Sequence, residues 1–339
     1  MKLASIQHRN RERVVVAVDA ETLVDVNDLL HSYAPGGAGL ATTDMVDFIE
    51  RASVLMPSLP AALDAFRAHG KPSHRIAVSE VLWRPPVRRP GKICGVAMNN
   101  SSSNERKIRA PNHPAFFLKP ASCLVGHQQA IRIHDYYGST HPEPELAVIV
   151  GHRAREIAVK DALAAVFGYT IFNDVTSNGM RAEDLFHYYA LYASKENPDK
   201  TERVEQHLSY AGRYKGSDTF GPMGPWLVTR DEVADPDDLE VTCRVAGEVV
   251  AEDSTRYYNY KVAEVIAFIS RFQTLEPGDV ISLGTAFKAG VGRKSIHTAN
   301  LAKTVGPVEV TIAGLGTLSN PVEFVSSVRG SGARLGAAE

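Results

Sequence analysis

The sequence predicts an α+β protein built on a mixed or antiparallel sheet. Short apolar runs rich in β-branched or aromatic residues follow one another between residues 93 and 312, and only two helical stretches of convincing length separate them. Regular alternation of strands and helices would indicate a doubly wound parallel sheet, and this chain does not alternate in that way. Its composition, 44% apolar and 22% charged over 339 residues, is typical of globular proteins.

The predicted elements follow from local residue patterns. A β-branched run predicts a first strand at residues 14–18, and spaced apolar residues predict helices at 44–51 and 59–68. Helices are also expected at 159–167 and 262–272. The remaining predicted strands cover residues 93–98, 115–118, 146–150, 169–172, 226–228, 241–245, 280–283 and 308–312.

A proline-rich segment divides the chain. Residues 85–91 contain three prolines and a glycine, which cannot propagate a helix or a central strand. We therefore predict a small N-terminal α/β domain over residues 1–85, a larger domain over 90–325 and a flexible tail over 326–339. The arginines at 84, 88 and 89 indicate either a solvated linker or an anion site.

Residues 181–214 form a polar excursion from the predicted sheet. The aromatic half of this segment, residues 184–192, is expected to form a helix that packs over an apolar surface, and the following half is expected to be solvated. Such an excursion either overhangs a site or builds a dimer contact.

Charge and cysteine content exclude several classes of partner. The 37 Lys and Arg residues nearly balance the 39 Asp and Glu residues, so neither a nucleic acid nor an anionic membrane is an expected partner, and a small molecule is favoured. Cys94, Cys123 and Cys243 form no CxxC or Cys/His cluster, which argues against disulfides and structural zinc. No apolar run reaches bilayer-spanning length and no secretory h-region is evident, so a cytoplasmic location is expected.

Two glutamates stand at the mouth of the predicted strand 146–150. Pro142 and Pro144 argue against a helix, and in an extended chain the side chains of Glu143 and Glu145 project to the same face. Their mutual repulsion calls for a neutralising group, and a divalent cation would serve. Asp174, at the polar end of the strand 169–172, is a candidate third ligand, and three carboxylates favour Mg²⁺ or Mn²⁺, with Ca²⁺ as an alternative. Alternatively, the glutamates are edge-strand charges and the aspartate is a turn residue.

Four separated motifs resemble the fumarylacetoacetate hydrolase superfamily, in the order in which that family carries them. They are Glu-x-Glu-Leu-Ala-Val-Ile-x-Gly at 143–151, Gly-Tyr-Thr-x-x-Asn-Asp-Val-Thr at 168–176, Lys-Gly-Ser-Asp-Thr-Phe-Gly-Pro-Met-Gly-Pro-Trp at 215–226, and Leu-Glu-Pro-Gly-Asp-Val-Ile at 275–281 followed by Gly-Thr at 284–285. The resemblance covers roughly residues 90–325.

The resemblance implies a mixed β-roll, a homodimer and a divalent-metal centre. Glu143, Glu145 and Asp174 match the metal ligands of the family. Lys215 matches a lysine beside the metal that holds a substrate oxyanion or carboxylate. Thr285 matches a pocket-lining threonine that follows Gly284, although alanine replaces the proline that usually comes next.

The chain departs from the family at the residues that activate water. The family's Asn-Tyr-x-x-His-x-x-Glu stretch is kept at Asn99, a candidate substrate-binding residue, but Ser103 and Arg106 replace the histidine and the glutamate. Glu105 is one position out of register and is a candidate catalytic replacement. The family's Arg-Asp pair is also replaced, which leaves Arg181 as a candidate substrate-binding residue.

The resemblance predicts a metal-dependent hydrolase that cleaves C–C bonds of a 2-oxo or 1,3-diketo acid of the acylpyruvate kind. Hydrolysis needs a base that activates water, and Glu105, His113 and His187 are the candidates for it. The loss of the usual base leaves two alternatives. One is a lyase, either a β-keto acid decarboxylase or a 2-keto-3-deoxy sugar acid dehydratase or hydratase, and the other is a noncatalytic member that binds metal and ligand.

Overall fold

The computed structural model describes residues 1–37, 39–100, 104, 107–286 and 296–326, and within them most strands join one large mixed sheet. The predicted α+β class agrees with this architecture. Each of the nine predicted strands coincides with an observed strand or lies mostly within one. Residues 327–339 of the predicted tail lie outside the described part. Among the described helices, none is long and apolar enough to cross a bilayer.

The strands that the structure describes are β1 (Lys2–His8), β2 (Arg11–Ala17), β3 (Thr22–Asp25), β4 (Ile76–Ala77), β5 (Leu82–Trp83), β6 (Ile93–Ala97), β7 (Ala115–Lys119), β8 (Leu124–Val125), β9 (Ile131–His134), β10 (Thr140–His141), β11 (Pro144–Val150), β12 (Val166–Asn173), β13 (Thr176–Ser177), β14 (Leu185–Ala193), β15 (Thr201–Ser209), β16 (Gly221–Thr229), β17 (Glu240–Val245), β18 (Glu248–Ser254), β19 (Val280–Ser282), β20 (Pro307–Ile312) and β21 (Gly316–Val325).

The α-helices with described bounds are α1 (Val26–Tyr33), α2 (Met45–Glu50), α3 (Ala52–Leu55), α4 (Leu59–His69), α5 (Val159–Ala162), α6 (Asn178–Glu183) and α7 (Val262–Ser270). Helix α1 begins at an aspartate cap, because the side chain of Asp25 accepts hydrogen bonds from the amides of Asn27 and Asp28. Helix α7 is apolar around most of its circumference and is correspondingly buried.

The large sheet runs in the order β4-β3-β2-β1-β16-β12-β11-β19-β6-β7, with β5 paired to β1 and β8 paired to β16. Strand β19 is parallel to β6 and β8 is parallel to β16, whereas the other pairs are antiparallel. The sheet is therefore mixed, as predicted.

Strand β11 is buried on both of its faces. Leu146 and Val148 pack in a core that includes the five-stranded sheet β18-β17-β20-β21-β9 and helix α7. Ala147 and Ile149 pack in a second core with the helices α1, α2 and α4. Because strand side chains alternate between faces, the continuous apolar run at 146–150 serves two cores at once.

The sheet continues across the predicted division at residues 85–90. Strand β1 pairs with β16 in antiparallel register, with Lys2 opposite Val228 and Leu3 opposite Leu227. The N-terminal strands β1 to β3 therefore extend the sheet whose strands β11, β12 and β16 carry motifs that resemble the fumarylacetoacetate hydrolase superfamily. The division into two domains stays a prediction about chain organisation.

The helix predicted at 184–192 is wrong, because these residues form strand β14. It pairs with β15 along its whole length, from Leu185 opposite Ser209 to Ala193 opposite Thr201. The aromatic residues of this segment favour a pleated strand, and a turn at 194–200 brings the two strands together. Both strands of this hairpin are mostly exposed.

The helix predicted at 159–167 is shorter than expected. Helix α5 ends at Ala162, a 3₁₀ turn covers Leu163–Ala165, and Val166 already belongs to β12. Within β12, a Cβ at Gly168 would lie 2.3 Å from the carbonyl oxygen of Val228. The backbone of β12 can pack this closely only with glycine at that position.

Candidate metal centre

Three carboxylates meet where β11 and β12 lie side by side. Glu143 precedes β11, Glu145 is its second residue, and Asp174 directly follows β12. The amide of Asp174 donates to the carbonyl of Glu143 at 2.9 Å, and the amide of Glu143 donates to Oδ1 of Asn173 at 2.9 Å. Each carboxylate offers one oxygen within 4.8 Å of the others, so the structure brings the three predicted metal ligands together.

Two lysines neutralise part of this negative charge. Lys215 Nζ donates to Oε2 of Glu143 at 2.8 Å and to Oδ2 of Asp174 at 2.5 Å. Lys119 is completely enclosed and donates to Oδ1 of Asp174 from the opposite side. It also bonds to the carbonyls of Lys215 and Phe220. Lys119 thus joins the strand β7 to the metal centre.

The ionisation of Glu145 shows that the site still lacks positive charge. Burial, together with the charges of Asp174 and Glu143, raises the pKa of Glu145 to about 8. Burial also favours the neutral form of Glu143, but Lys215 and a hydrogen bond from His141 hold its pKa well below the usual range. For Lys215 the carboxylate charges outweigh burial and raise its pKa, so it stays a cation. With all three carboxylates ionised, the two lysines leave one net negative charge, which a proton on Glu145 cancels in the metal-free site.

This donor set fits a hard divalent cation. All three candidate ligands offer carboxylate oxygens, which Mg²⁺ and Mn²⁺ prefer, and a bound cation would supply the charge that Glu145 lacks. Hydrogen bonds from the hydroxyl of Ser282 and the amide of Gly284, the latter at 3.1 Å, orient Oε2 of Glu145. Its other oxygen remains within reach of the shared centre.

The Gly284–Thr285 turn builds the wall beside these glutamates. The φ of Gly284 is 96°, and a Cβ on it would lie 2.9 Å from the Cβ of Asn99 and 3.0 Å from the carbonyl oxygen of Val96. Only glycine fits this position. The hydroxyl of Thr285 lies 2.9 Å from Oε2 of Glu143 and 3.4 Å from Oε1 of Glu145, so it bridges the two carboxylates.

Asn99 lies behind this wall and its amide group is already engaged. Nδ2 donates to the carbonyls of Tyr260 and Leu283 at 3.1 and 2.8 Å, and Oδ1 accepts from the amide of Tyr260 at 2.8 Å. These bonds tie the end of β6 to the segment before α7 and to the end of β19. The predicted contact of Asn99 with substrate stays a prediction.

A small cavity opens onto the carboxylates. Its volume is about 170 Å³, below the range of about 300–1,000 Å³ that is typical of sites for drug-sized ligands. Glu143, Lys215 and Thr285 line it, and Arg181 of helix α6 lines it as well. The guanidinium carbon of Arg181 lies 5.9 Å from the centre of the Tyr214 ring, which also faces the cavity. The cavity therefore presents one carboxylate of the triad, Glu143, and two cationic side chains.

Two histidines at this site were not assigned a role from the sequence. Nε2 of His141 lies 3.2 Å from Oε1 of Glu143, and its Nδ1 lies 3.4 Å from Nδ2 of Asn178, the geometry of an Nε2–H tautomer. His297 lines the cavity and meets His141 edge to face, with ring centres 4.9 Å apart. The position of His141 two residues before Glu143 in an extended chain could have identified it. No local pattern points to His297.

Of the three candidate bases predicted from the sequence, the two that the structure describes, His113 and His187, lie away from the centre. Glu105 lies outside the described residues. His113 stacks on Phe268 with ring centres 5.1 Å apart, and His187 pairs with Glu205 on the exposed hairpin. Neither histidine lines the cavity at the carboxylates.

The sequence resembles known proteins over most of its length. The sequence model described as "Fumarylacetoacetate (FAA) hydrolase C-terminal" matches residues 92–323. The chain is 32% identical over 279 residues to "Oxaloacetate tautomerase FAHD2A, mitochondrial" from Homo sapiens, and the match covers 78% of this chain and 81% of that protein.

Solved structures show the same fold. Fumarylacetoacetate hydrolase from psychrophilic Exiguobacterium antarcticum is 26% identical, with a TM-score of 0.71 and coverage of 96% of this chain and 100% of that one. Maleylpyruvate hydrolase from Sphingobium sp. SYK-6, in complex with manganese(II) ion and pyruvate, is 25% identical, with a TM-score of 0.68 and coverage of 96% and 99%. The chain belongs to the fumarylacetoacetate hydrolase family. Family membership and the acidic triad together indicate a metal-dependent enzyme of small-molecule catabolism.

Proposed function

We propose that this member of the fumarylacetoacetate hydrolase family enolises small 2-oxo dicarboxylic acids, and that it interconverts the keto and enol forms of oxaloacetate. The observation that carries this proposal is that Ser103 and Arg106 replace the family's water-activating histidine and glutamate in a sequence that keeps the acidic triad. Enolisation consumes no water, so it needs no water-activating dyad. The likeness to a relative named oxaloacetate tautomerase supports the same substrate.

The reaction moves one proton and changes no oxidation state. A C3–H bond breaks, a C2–C3 double bond forms, and the C2 carbonyl oxygen becomes a hydroxyl. Glu143, Glu145 and Asp174 would hold Mg²⁺ or Mn²⁺, which supplies a Lewis acid for the oxygens of a 2-oxo acid when bound.

Lys215 acts as a fixed positive charge in this mechanism. Its raised pKa keeps it protonated, so it stabilises developing negative charge and does not accept the proton. Two of its hydrogen bonds go to Glu143 and Asp174, and an ammonium group has three donors. The third donor is the one we assign to the substrate oxygen.

Arg181 and His297 also line the cavity. A guanidinium suits the second carboxylate of a dicarboxylic acid, because it can donate two parallel hydrogen bonds. His297 is the residue we assign to proton transfer, since an imidazole can accept and release a proton near neutral pH. The small volume of the cavity, about 170 Å³, favours a substrate of this size.

The test is a measurement of oxaloacetate tautomerisation with Mg²⁺ or Mn²⁺, followed by NMR or by the ultraviolet absorbance of the enol. We expect metal-dependent acceleration that Asp174→Asn abolishes through weaker metal binding. Lys215→Met should lower kcat by about 10²-fold or more. Arg181→Met should raise KM for oxaloacetate by about tenfold and leave KM for a monocarboxylic 2-oxo acid unchanged. Arg153→Gln, at an exposed ion pair with Glu276, is the matched control.

Hydrolysis of an acylpyruvate-like acid at a C–C bond is the second candidate. The likeness to a maleylpyruvate hydrolase bound to manganese and pyruvate favours it. An acylpyruvate panel assayed for pyruvate release separates the two candidates, and release of CO₂ from oxaloacetate identifies a decarboxylase. If no substrate shows metal-dependent turnover while Glu143→Gln still changes ligand binding, the protein is a binding member and the enzymatic proposal is wrong.

A further inference from the structure

A larger cavity lies between the N-terminal strands and the proline-rich segment. Its volume is about 430 Å³, and it shares no lining residue with the cavity at the metal centre. Its charged lining residues are Arg13, Arg84, Arg88, Arg89, Glu12 and Asp44. Arginines outnumber carboxylates two to one on this lining, so the cavity carries excess positive charge.

A single carboxylate serves the three arginines at 84, 88 and 89, and only two of them approach it. Glu12 lies 4.0 Å from Arg84 and pairs more closely with Arg88. Arg89 has no ion pair or hydrogen bond with any residue in the described ranges. Arg13 is anchored separately, since its guanidinium lies 2.8 Å from Asp25.

Hydrogen-bond donors outnumber acceptors in this cluster. The Nε atoms of Arg13 and Arg84 are buried and have no hydrogen-bond acceptor among the described residues. The distance of 4.0 Å from Arg84 Nε to Glu12 is too long for a hydrogen bond. Buried charged donors without acceptors are costly, so an anion that supplies acceptors would be stabilised here.

The arginine segment is held rigidly by the strand beside it. The amide of Arg84 donates to the carbonyl of Ser5 at 2.9 Å, and the Ser5 hydroxyl donates to the carbonyl of Pro86 at 2.7 Å. Pro85 and Pro86 restrict the backbone between these bonds. Arg84, Arg88 and Arg89 also line a neighbouring cavity of about 320 Å³. The guanidinium groups therefore stand on a fixed backbone between two openings.

We propose that this arginine cavity binds a small multivalent anion of phosphate or polycarboxylate chemistry. Planar guanidinium groups match the paired oxygens of both chemistries, and three arginines with one shared glutamate require more than one negative charge. A volume of about 430 Å³ lies within the usual range for small-ligand sites. The carboxylate of Glu12 neutralises part of the arginine charge and competes with the anion for the same guanidinium groups.

The test is calorimetric titration of the full-length, metal-free protein with inorganic pyrophosphate and, separately, with propane-1,2,3-tricarboxylate. We expect saturable binding of at least one probe at one site. The probe that binds with the higher affinity shows whether the site prefers a phosphate or a polycarboxylate. Arg89→Gln should weaken binding by about tenfold through loss of one charged contact. Glu12→Gln should strengthen binding, because it removes the competing carboxylate.

Two control variants locate the bound anion. Arg67→Gln, at an exposed ion pair with Asp64, should bind the probes as the unmodified protein does. Arg181→Gln should also leave binding unchanged, because Arg181 lines the other cavity. The proposal is overturned if neither probe saturates below about 10 mM. It is equally overturned if Arg181→Gln abolishes binding while Arg89→Gln and Glu12→Gln have no effect.

Discussion

Glu145 is the residue at which the charge balance of the metal centre can be measured. It is buried, it accepts bonds from Ser282 and Gly284, and its neighbours Asp174 and Glu143 carry the same charge. Its pKa of about 8 means that the metal-free site holds a proton on this carboxyl at neutral pH. A divalent cation must displace that proton, so metal binding and proton release are linked.

We expect metal affinity to rise with pH up to about 8. Below that pH, each unit of acidification should weaken Mn²⁺ binding by about tenfold, since the competing proton is held on Glu145. At pH 7 the binding of Mn²⁺ should release about one proton, measured by calorimetry in two buffers with different ionisation enthalpies. An affinity that is equal at pH 6 and pH 8 would contradict the raised pKa. His141→Asn is the control, because it removes the neighbouring imidazole and should retain the pH dependence.

The raised pKa of Glu145 also makes the free energy of unfolding of the metal-free protein depend on pH. The unfolded chain loses the Glu145 proton near its ordinary pKa of 4.5, whereas the folded chain keeps it until about 8. The contribution of this group to the free energy of unfolding is therefore full below pH 4.5 and is lost as the pH rises to about 8. Mn²⁺ should restore stability most strongly at the alkaline end of this window.

At the scale of an element, the hairpin of β14 and β15 presents apolar side chains on both faces. Leu185, Tyr189 and Leu191 lie on one face, and Phe186 and Tyr192 lie on the other. Each of these side chains is at least half exposed. A cluster of this kind is typical of protein interfaces, because large apolar patches are uncommon on free surfaces. We propose that the hairpin forms the contact of the expected homodimer.

The predicted contact can be tested by charging both faces of the hairpin. We expect the unmodified protein to sediment as a dimer and the double variant Leu191→Asp, Tyr192→Asp to sediment as a monomer, because two buried carboxylates per chain would oppose association. Ile108→Asp with Val305→Asp charges two apolar residues that are almost fully exposed outside the hairpin, and this pair should remain dimeric. A dimer that survives the hairpin variant would place the interface elsewhere.

The hairpin is also connected directly to the metal centre. Strand β14 follows helix α6, which carries Arg181, and the chain returns from β15 to Lys215 within six residues. Arg213 ties the two ends together through ion pairs with Glu183 and Asp184. Association through the hairpin would therefore help to fix the positions of Arg181 and Lys215 in the cavity. The double variant Leu191→Asp, Tyr192→Asp should be assayed for its KM for oxaloacetate as well as for its molecular mass.

At the scale of the whole molecule, the N-terminal strands and the metal-binding strands form one sheet. Leu3 pairs with Leu227 across the junction and is fully buried in the same core as Ala147 and Phe172. Two units that share a sheet and a core are expected to unfold together, because neither keeps its buried surface without the other.

Calorimetry tests this coupling. We expect a single unfolding transition, and Leu3→Ala should lower the free energy of unfolding of the entire protein by about 2–5 kcal/mol. Val54→Ala is the control, since Val54 is 55% exposed and should have little effect. Two resolved transitions, with only the smaller one shifted by Leu3→Ala, would show that residues 1–85 unfold as an independent domain.

The local sequence was sufficient to predict the features that follow from the alternation of side chains along a strand. Pro142 and Pro144 exclude a helix, and the period of two then places Glu143 and Glu145 on one face at the end of a buried strand. Apolar runs rich in β-branched or aromatic residues identify nine of the 21 strands that the structure describes, including β6, β11, β12 and β19 of the large sheet. The family resemblance rests on motifs of this local kind, and the carboxylate triad that they carry is the one that the structure brings together.

Other residues around that triad were found only from the way the chain folds. Lys119 and His297 come from separate segments, and their approach depends on the order and register of strands that the sequence does not encode locally. The aromatic segment at 184–192 shows the same limit, since pairing with β15 makes it a strand where local spacing suggested a helix. Side-chain alternation is a property of neighbouring residues, whereas charge neutralisation and strand pairing depend on residues far apart in the chain.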